Sequence, residues 1–274
     1  MSNYKPYQGT NFDLDGKVAI VTGAAGILGG VFVNSLLSAG AEVIAVDLNL
    51  DNLLIEDKYS SKTHLCIVDI ANEVSVNNFI NNISKFTIKI DILVNSAAID
   101  PKFDKETNKD GFTKFTDFPL EQWNQSIDVN LTGVFIMTKA VCSVMEKNGE
   151  GSIINLGSNY GLIGPDQRIY KKKGEESQPY KPAIYSVCKS ALIGFTKYLA
   201  SYYSDTKIRV NTLTPAGVYN NQDDEFVDNY SSRTILRRMS NKEEYASAIL
   251  FLSSDASSYM TGSNLVIDGG WTAL

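Results

Sequence analysis

The chain has 274 residues, enough for one large α/β domain or two small ones and for an ample buried core. With 43% apolar and 20% charged residues it has a globular composition, and no apolar run approaches the roughly 18–20 residues that span a bilayer. A formal net charge of −6 argues against a general nucleic-acid binder, whose phosphate contacts need a dense basic face.

Residues 1–16 carry neither a basic leader nor an apolar segment and read as an N-terminal extension without a secretion signal. Short β-branched runs then alternate with longer helical patterns. The predicted strands are Lys17–Thr22, Glu42–Asp47, Thr63–Val68, Asp91–Asn95, Ser152–Leu156, Ile208–Leu213 and Asn264–Ile267. Most are near-continuous apolar runs, as expected of strands buried on both faces. Helices are predicted near 27–39, 72–85, 120–147, 183–203 and 241–253. In the third of these, Trp123, Ile127, Leu131, Val134 and Phe135 form an apolar stripe at helical spacing. Alternating strands and helices predict a parallel sheet covered on both sides, within one domain. Three charged or irregular stretches interrupt the rhythm: Ile99–Phe118, Leu162–Pro182 and Ala216–Met239. Each follows the carboxyl end of a strand or a short extension of it, the edge where open α/β sheets bind ligands.

Cys66, Cys142 and Cys188 are far apart and odd in number, which points to a reducing, cytoplasmic setting without a disulfide framework. His64 is the single histidine and lies in a predicted strand. A Ser-His-Asp triad would have to be built on it, and no clustered His/Cys set offers a zinc or other metal site.

The turn after the first strand reads Thr22-Gly23-Ala24-Ala25-Gly26-Ile27-Leu28-Gly29. Glycines there let the backbone approach a pyrophosphate at the N-terminus of the following helix. Asp47, ending the second strand, can accept hydrogen bonds from the adenosine ribose hydroxyls and would repel a 2′-phosphate. Neither Leu48–Leu50 nor 24–28 offers a cation, so NAD is expected over NADP. Asp69 follows the third strand and Asn95 ends the fourth, where they either face a cofactor or brace loops. The small residues Ser96, Ala97 and Ala98 leave room for a flat ring or a close backbone. Tyr185 and Lys189 are one helical turn apart on one face. An ammonium near a phenol favours the phenolate and lowers a pKa that is ordinarily about 10, so such a tyrosine could exchange protons with an alcohol. Ser158, closing the fifth strand, could hold a carbonyl or alcohol oxygen, although a serine there is commonly a turn residue.

These segments, in this order, resemble the single-domain branch of the short-chain dehydrogenase/reductase family from about Lys17 to the end. The likeness rests on TGAAGILG at 22–29, VDI at 68–70, LVNSAA at 93–98, VNLTG at 129–133, SIINLGS at 152–158, YSVCK at 185–189, RVNTLTPAGV at 209–218 and MTGSNLVIDGG at 260–270. It implies a Rossmann-type doubly wound parallel sheet of about seven strands flanked by helices. It also implies hydride transfer between nicotinamide and a secondary alcohol or ketone, with four catalytic residues. Tyr185 would be the general acid/base, Lys189 would lower its pKa and bind the nicotinamide ribose, Ser158 would stabilise the substrate oxygen and Asn130 would support a water relay. Asp69 and Ile70 would lie against the adenine, Asn95 would secure the central strand, and Pro215, Gly217 and Val218 would line the nicotinamide.

The chain departs from the family's commonest TGxxxGxG loop by carrying Ile27 and Gly26. Ser158 and Tyr185 are also 27 residues apart, about twice the usual separation, so 162–182 reads as an inserted flap beside the catalytic centre and 216–239 as a substrate loop. Lys102, Arg168, Lys171–Lys173, Lys181, Arg233, Arg237 and Arg238 could meet an anionic group or could be solvated loop charges among Glu175, Glu176, Asp223, Asp224 and Glu225. IDPKF at 99–103, GPDQRIY at 164–170 and IDGGW at 267–271 resemble oxidoreductases of bacterial surface-sugar pathways, including sialic-acid-like and flagellin-modifying sugars. A polar small-molecule substrate, a sugar or nucleotide sugar, is therefore expected. A keto-acyl or small secondary alcohol is the alternative, and a non-catalytic nucleotide sensor is the rival from another class. The resemblance further implies a homotetramer or homodimer paired through helices 120–147 and 183–203.

Overall fold

The computed structural model describes residues 12–85, 87–100, 114–174 and 178–273. Lys102, Glu175 and Glu176, singled out above, lie outside the described residues, as does most of the N-terminal extension. Among the described residues seven strands form one sheet: β1 (Val18–Thr22), β2 (Glu42–Asp47), β3 (Thr63–Ile67), β4 (Ile92–Asn95), β5 (Glu150–Leu156), β6 (Lys207–Pro215) and β7 (Asn264–Ile267). Their order is β3-β2-β1-β4-β5-β6-β7 and every pairing is parallel, with Ile20 opposite Ile44 on one side and Leu93 on the other. This is the Rossmann-type doubly wound sheet.

Side chains alternate across each strand, and the two faces fill two cores. Val18, Ile20, Ile44, Val46, Leu93 and Ile153 join one core, while Ala19, Val21, Val43, Ala45, Ile92 and Ile154 join the other. The first core is closed by α2 (Glu73–Asn82), α4 (Val134–Asn148) and α5 (Ala183–Tyr202). The second is closed by α1 (Ile27–Ser38) and α7 (Ala246–Ser253), through Phe32, Leu36, Ile249 and Leu252. A strand covered on both sides must be apolar at successive positions, which explains the unbroken runs in the sequence. β3 differs because it is an edge strand, and Leu65 and Ile67 are exposed.

Two predicted elements are corrected. The segment expected as one helix over 120–147 is α3 (Leu120–Ile127), then a π-helical turn at Asp128–Gly133, then α4. Joined end to end, Leu120–Asn148 is long and apolar enough by length and composition to cross a membrane, but half of its most apolar window is buried. Met137, Val141 and Met145 belong to the core. The stretch expected as an irregular loop over 216–239 contains α6 (Asp224–Ser232), whose N-terminus is capped by the Asp223 carboxylate on the Phe226 N–H.

Candidate active site

The strand order reverses between β1 and β4, and the crevice at their carboxyl ends is the position where such sheets take ligands. Thr22 closes β1, and its Oγ1 accepts the Ser96 and Ala97 N–H groups at 3.2 Å. The two strand ends are thereby stapled at the reversal. Gly23 follows with φ +66, and a Cβ there would lie 2.6 Å from Ala97 Cα. A Cβ on Gly29 would lie 1.9 Å from the Gly23 carbonyl oxygen. Both positions therefore require glycine. The Gly26–Ile27 spacing is accommodated because Gly26 occupies the N-cap of α1 and Ile27 opens the helix. Among the described residues no side chain caps this helix, and its first turn holds no acidic residue, whereas Asn72 caps α2 and Asp223 caps α6. An uncapped helix N-terminus under a glycine turn is a fitting cradle for a pyrophosphate. Asp47 Oδ2 accepts the Ala25 N–H at 3.0 Å and Oδ1 accepts that of Leu48 at 2.7 Å, so this carboxylate shapes the loop from the end of β2.

Asn95 ends β4 fully buried and donates to Thr138 Oγ1 and to Asn155 Oδ1, both at 2.9 Å. Asn155 in turn donates to Thr196 Oγ1, which pairs with Thr212 Oγ1 at 2.8 Å. One buried polar chain thus ties α4, β4, β5, α5 and β6 beneath the crevice. Such a network specifies one arrangement because each unpaired member would be costly. Asn130 lies in the π-helical turn and is 1% exposed. Its side chain both accepts from the Ile99 N–H and donates to the Ile99 carbonyl, each at 2.8 Å. It therefore holds the chain next to Asp100.

Ser158 follows β5, where it accepts the Tyr160 N–H and opens a short turn over 159–161. That turn packs against α5, for a Cβ on Gly161 would lie 2.8 Å from the Lys189 backbone, and Ser190 Oγ donates to the Gly161 carbonyl. The contact brings Ser158 to the α5 face that carries Tyr185 and Lys189, and the three residues line one cleft. Lys189 is 4% exposed and donates to the Leu156 carbonyl at 2.7 Å. Burial lowers its pKa to about 8, against an ordinary 10.5. The expected lowering at Tyr185 is not what the geometry produces. Burial pushes the phenol up, Asp100 adds to the rise, and the neighbouring Ser158 hydroxyl opposes it. The Lys189 ammonium lies 5.9 Å from the ring centroid, and its hydrogen bond goes to Leu156.

A cleft of about 380 Å³ joins these parts. It is lined by Gly23, Gly26, Ile27, Leu28 and Gly29 at one end, by Ser158, Tyr185 and Lys189 in the middle, and by Pro215, Gly217 and Val218. Larger depressions of about 590 and 580 Å³ lie at the amino ends of the strands and beside α3 and the start of α5, and neither touches the glycine turn, Ser158 or Lys189. Other expected residues stand outside the cleft wall. Asp69 is exposed and accepts the Ala71 N–H. The Ile70 side chain is buried against Gly133, and Asn95, Ala97 and Asn130 support the wall from behind.

Most of the loop cations are turned to neighbouring carboxylates. Arg168 and Arg233 pair with Asp166, Lys172 with Asp223, and Arg238 with Glu244. Arg237 donates to the Ser232 carbonyl. Of the cations offered for an anionic group, Lys181 alone lines the cleft among the described residues. The other wall is aromatic: Tyr160, Tyr170, Phe226 and Tyr230, backed by Trp271 at 4.3 Å between ring centroids from Tyr230. No single period marks these residues: Phe226 and Tyr230 lie one turn apart on α6, but Tyr160, Tyr170 and Trp271 come from three other segments. A Cβ on Gly217 would lie 2.5 Å from the Tyr230 ring, and Tyr230 accepts the Gly217 N–H, so Gly217 seats this wall against the cleft.

Comparison with known proteins shows the family. The family model described as enoyl-(acyl carrier protein) reductase matches residues 23–272. The chain is similar to D-threitol dehydrogenase of Mycolicibacterium smegmatis, at 30% identity over 96% of this chain and 95% of that protein. It is similar to the 3-oxoacyl-(acyl-carrier-protein) reductase of Thermotoga maritima, at 32% over 94% and 98%. A crystal structure of a short chain dehydrogenase from Leptospira borgpetersenii with bound NAD+ superposes with a TM-score of 0.84 and 32% identity, covering 99% of each chain. The chain belongs to the short-chain dehydrogenase/reductase family and is an NAD(P)-dependent oxidoreductase acting on CH–OH groups.

Proposed function

We propose that the protein interconverts a secondary alcohol and its ketone on a sugar or sugar-like polyol, with NAD preferred over NADP. The observation that carries the substrate reading is the cleft wall beyond Tyr185. Aromatic faces of Tyr160, Tyr170, Phe226 and Tyr230 alternate there with Asn159, Gln222 and the Lys181–Asp100 pair. Ring faces suit the C–H side of a polyol, and the polar groups suit its hydroxyls. The threitol dehydrogenase relative supports this reading. The oxoacyl reductase relative keeps a keto-acyl substrate as the second reading.

A bound nicotinamide would supply the hydride acceptor or donor. Gly23, Gly26, Ile27, Leu28 and Gly29 would hold its pyrophosphate, Asp47 the adenosine ribose, Asp69 and Ile70 the adenine, and Pro215, Gly217 and Val218 the nicotinamide side, with Asn95 and Ala97 fixing the crevice. Tyr185 moves the proton at the carbinol oxygen, Ser158 donates to that oxygen, and Lys189 binds the nicotinamide ribose. Asn130 supports the proton relay. Three free cysteines fit a cytoplasmic enzyme, and a homotetramer or homodimer through α4 and α5 is the assembly we infer.

An absorbance screen for NADH formation with threitol, glycerol and sugar alcohols, and for NADH consumption with keto sugars and oxoacyl thioesters, tests the substrate class, and activity confined to oxoacyl thioesters would overturn it. Tyr185→Phe is expected to lower kcat/KM by roughly 10²–10⁴-fold with the fold retained, and intact turnover would refute the assignment. Asp47→Ala is expected to narrow the NAD preference by about tenfold, the worth of one charge-assisted hydrogen-bonded contact. A wild-type preference for NADP in paired binding titrations would contradict the role given to Asp47.

A further inference from the structure

Lys181 is the penultimate residue of the 162–182 segment, directly before Pro182 at the N-cap of α5. Its ammonium lies 4.1 Å from the Tyr185 ring centroid, nearer than that of Lys189 at 5.9 Å. The Lys181 side chain is 12% exposed, and Nζ donates to both carboxylate oxygens of Asp100 at 2.6 Å. Its backbone is fixed as well. The Lys181 N–H donates to Gln167 Oε1 at 2.8 Å, and Gln167 Nε2 donates to the Lys181 carbonyl at 3.2 Å. Asp100 follows Ile99, which Asn130 grips by both backbone groups. The π-helical turn, the chain after β4 and the 162–182 segment therefore converge on Tyr185.

We propose that Lys181 is a positioning residue for Tyr185: clamped by Asp100, it packs its ammonium on the phenol ring and, with Asp100 as the opposing charge, sets the pH at which that phenol releases its proton. The inference rests on the reading of Tyr185 as the acid/base. A cation near the ring is attracted by its quadrupole and favours the phenolate, while the carboxylate disfavours it. The other titratable groups around Tyr185 are Lys189 on α5, Tyr160 after β5, Tyr170 in the 162–182 segment and Tyr230 on α6. Among the described residues lining the cleft, Asp100 is the sole carboxylate. The pair acts in opposite senses on its surroundings. Asp100 raises Tyr185 and Lys189, whereas Lys181 lowers Lys189.

The test uses the full chain labelled with ζ-¹³C tyrosine, titrated by NMR with and without NAD, and the Tyr185 signal is assigned by its loss in Tyr185→Phe. Lys181→Met keeps the backbone bonds to Gln167 and removes the charge. It is expected to move the Tyr185 titration in the NAD complex up by about one pH unit, the scale of one unit charge at this range in a partly screened site. Lys181→Arg is expected to restore the wild-type midpoint. Coincident wild-type and Lys181→Met titrations, or a Tyr185 signal that stays un-ionised in both up to the alkaline limit of folding, would overturn the inference. Turnover by Tyr185→Phe would instead overturn the reading beneath it.

Discussion

At Lys189 two demands meet in one side chain. It must be buried to reach the crevice floor, yet burial disfavours its charge, and its pKa falls to about 8. The unfolded chain keeps that proton to about 10.5, so between pH 8 and 10.5 the unfolded state binds more protons and folding stability rises with pH. The penalty is fully present below pH 8 and amounts to roughly 3 kcal/mol for this shift. Thermal melts of wild type and Lys189→Met across that window check it, because the difference in slope should vanish from the variant. The YxxxK spacing in the sequence disclosed that Lys189 and Tyr185 share a face. It did not disclose that the Lys189 hydrogen bond goes to the Leu156 carbonyl, which depends on how deeply α5 packs on β5.

Among the elements, the 162–182 segment is held by its own contacts, Gln167 with Lys181 and Gln178, and by α6 with its flanking residues. Asp166 meets Arg233, Lys172 meets Asp223, and the Lys173 N–H donates to Glu225 Oε1 at 2.8 Å. Ile169 is 3% exposed in the aromatic cluster with Tyr160, Tyr230, Met239 and Trp271. Exposed ion pairs contribute little, so Ile169 is the anchor. Ile169→Ala should cost about 2–5 kcal/mol of local packing and raise substrate KM severalfold while leaving the NAD dissociation constant unchanged. Steady-state kinetics set against a direct NAD titration separates the two, and a parallel loss of NAD affinity would contradict the division of the cleft. Sequence reading found this segment by its length and position. It missed α6, because Asp223-Asp224-Glu225 looks like loop charge until the Asp223 carboxylate is seen on the Phe226 N–H.

For the whole molecule, α4 and α5 leave Phe135, Tyr198 and Tyr202 at 48%, 64% and 64% exposure on adjoining faces. An apolar patch of this kind is where a second copy is expected to pair. Sedimentation velocity should show a dimer or tetramer, and Tyr198→Glu should shift it toward monomer, whereas a wild-type monomer would refute the assembly.

The amino-acid sequence by itself determined the order of strands and helices, the glycine turn, the acidic end of β2 and the Tyr185–Lys189 face. These features are local: a period of two or of 3.6, a turn residue, or a spacing along one helix. Only the tertiary structure decided the π-helical turn that aims Asn130 at Ile99, the aromatic wall, the pairing of the loop cations and the Lys181–Asp100 clamp on Tyr185. Each of these depends on segments far apart in the chain meeting at the carboxyl edge of the sheet, and contact between distant residues leaves no period in the sequence to read.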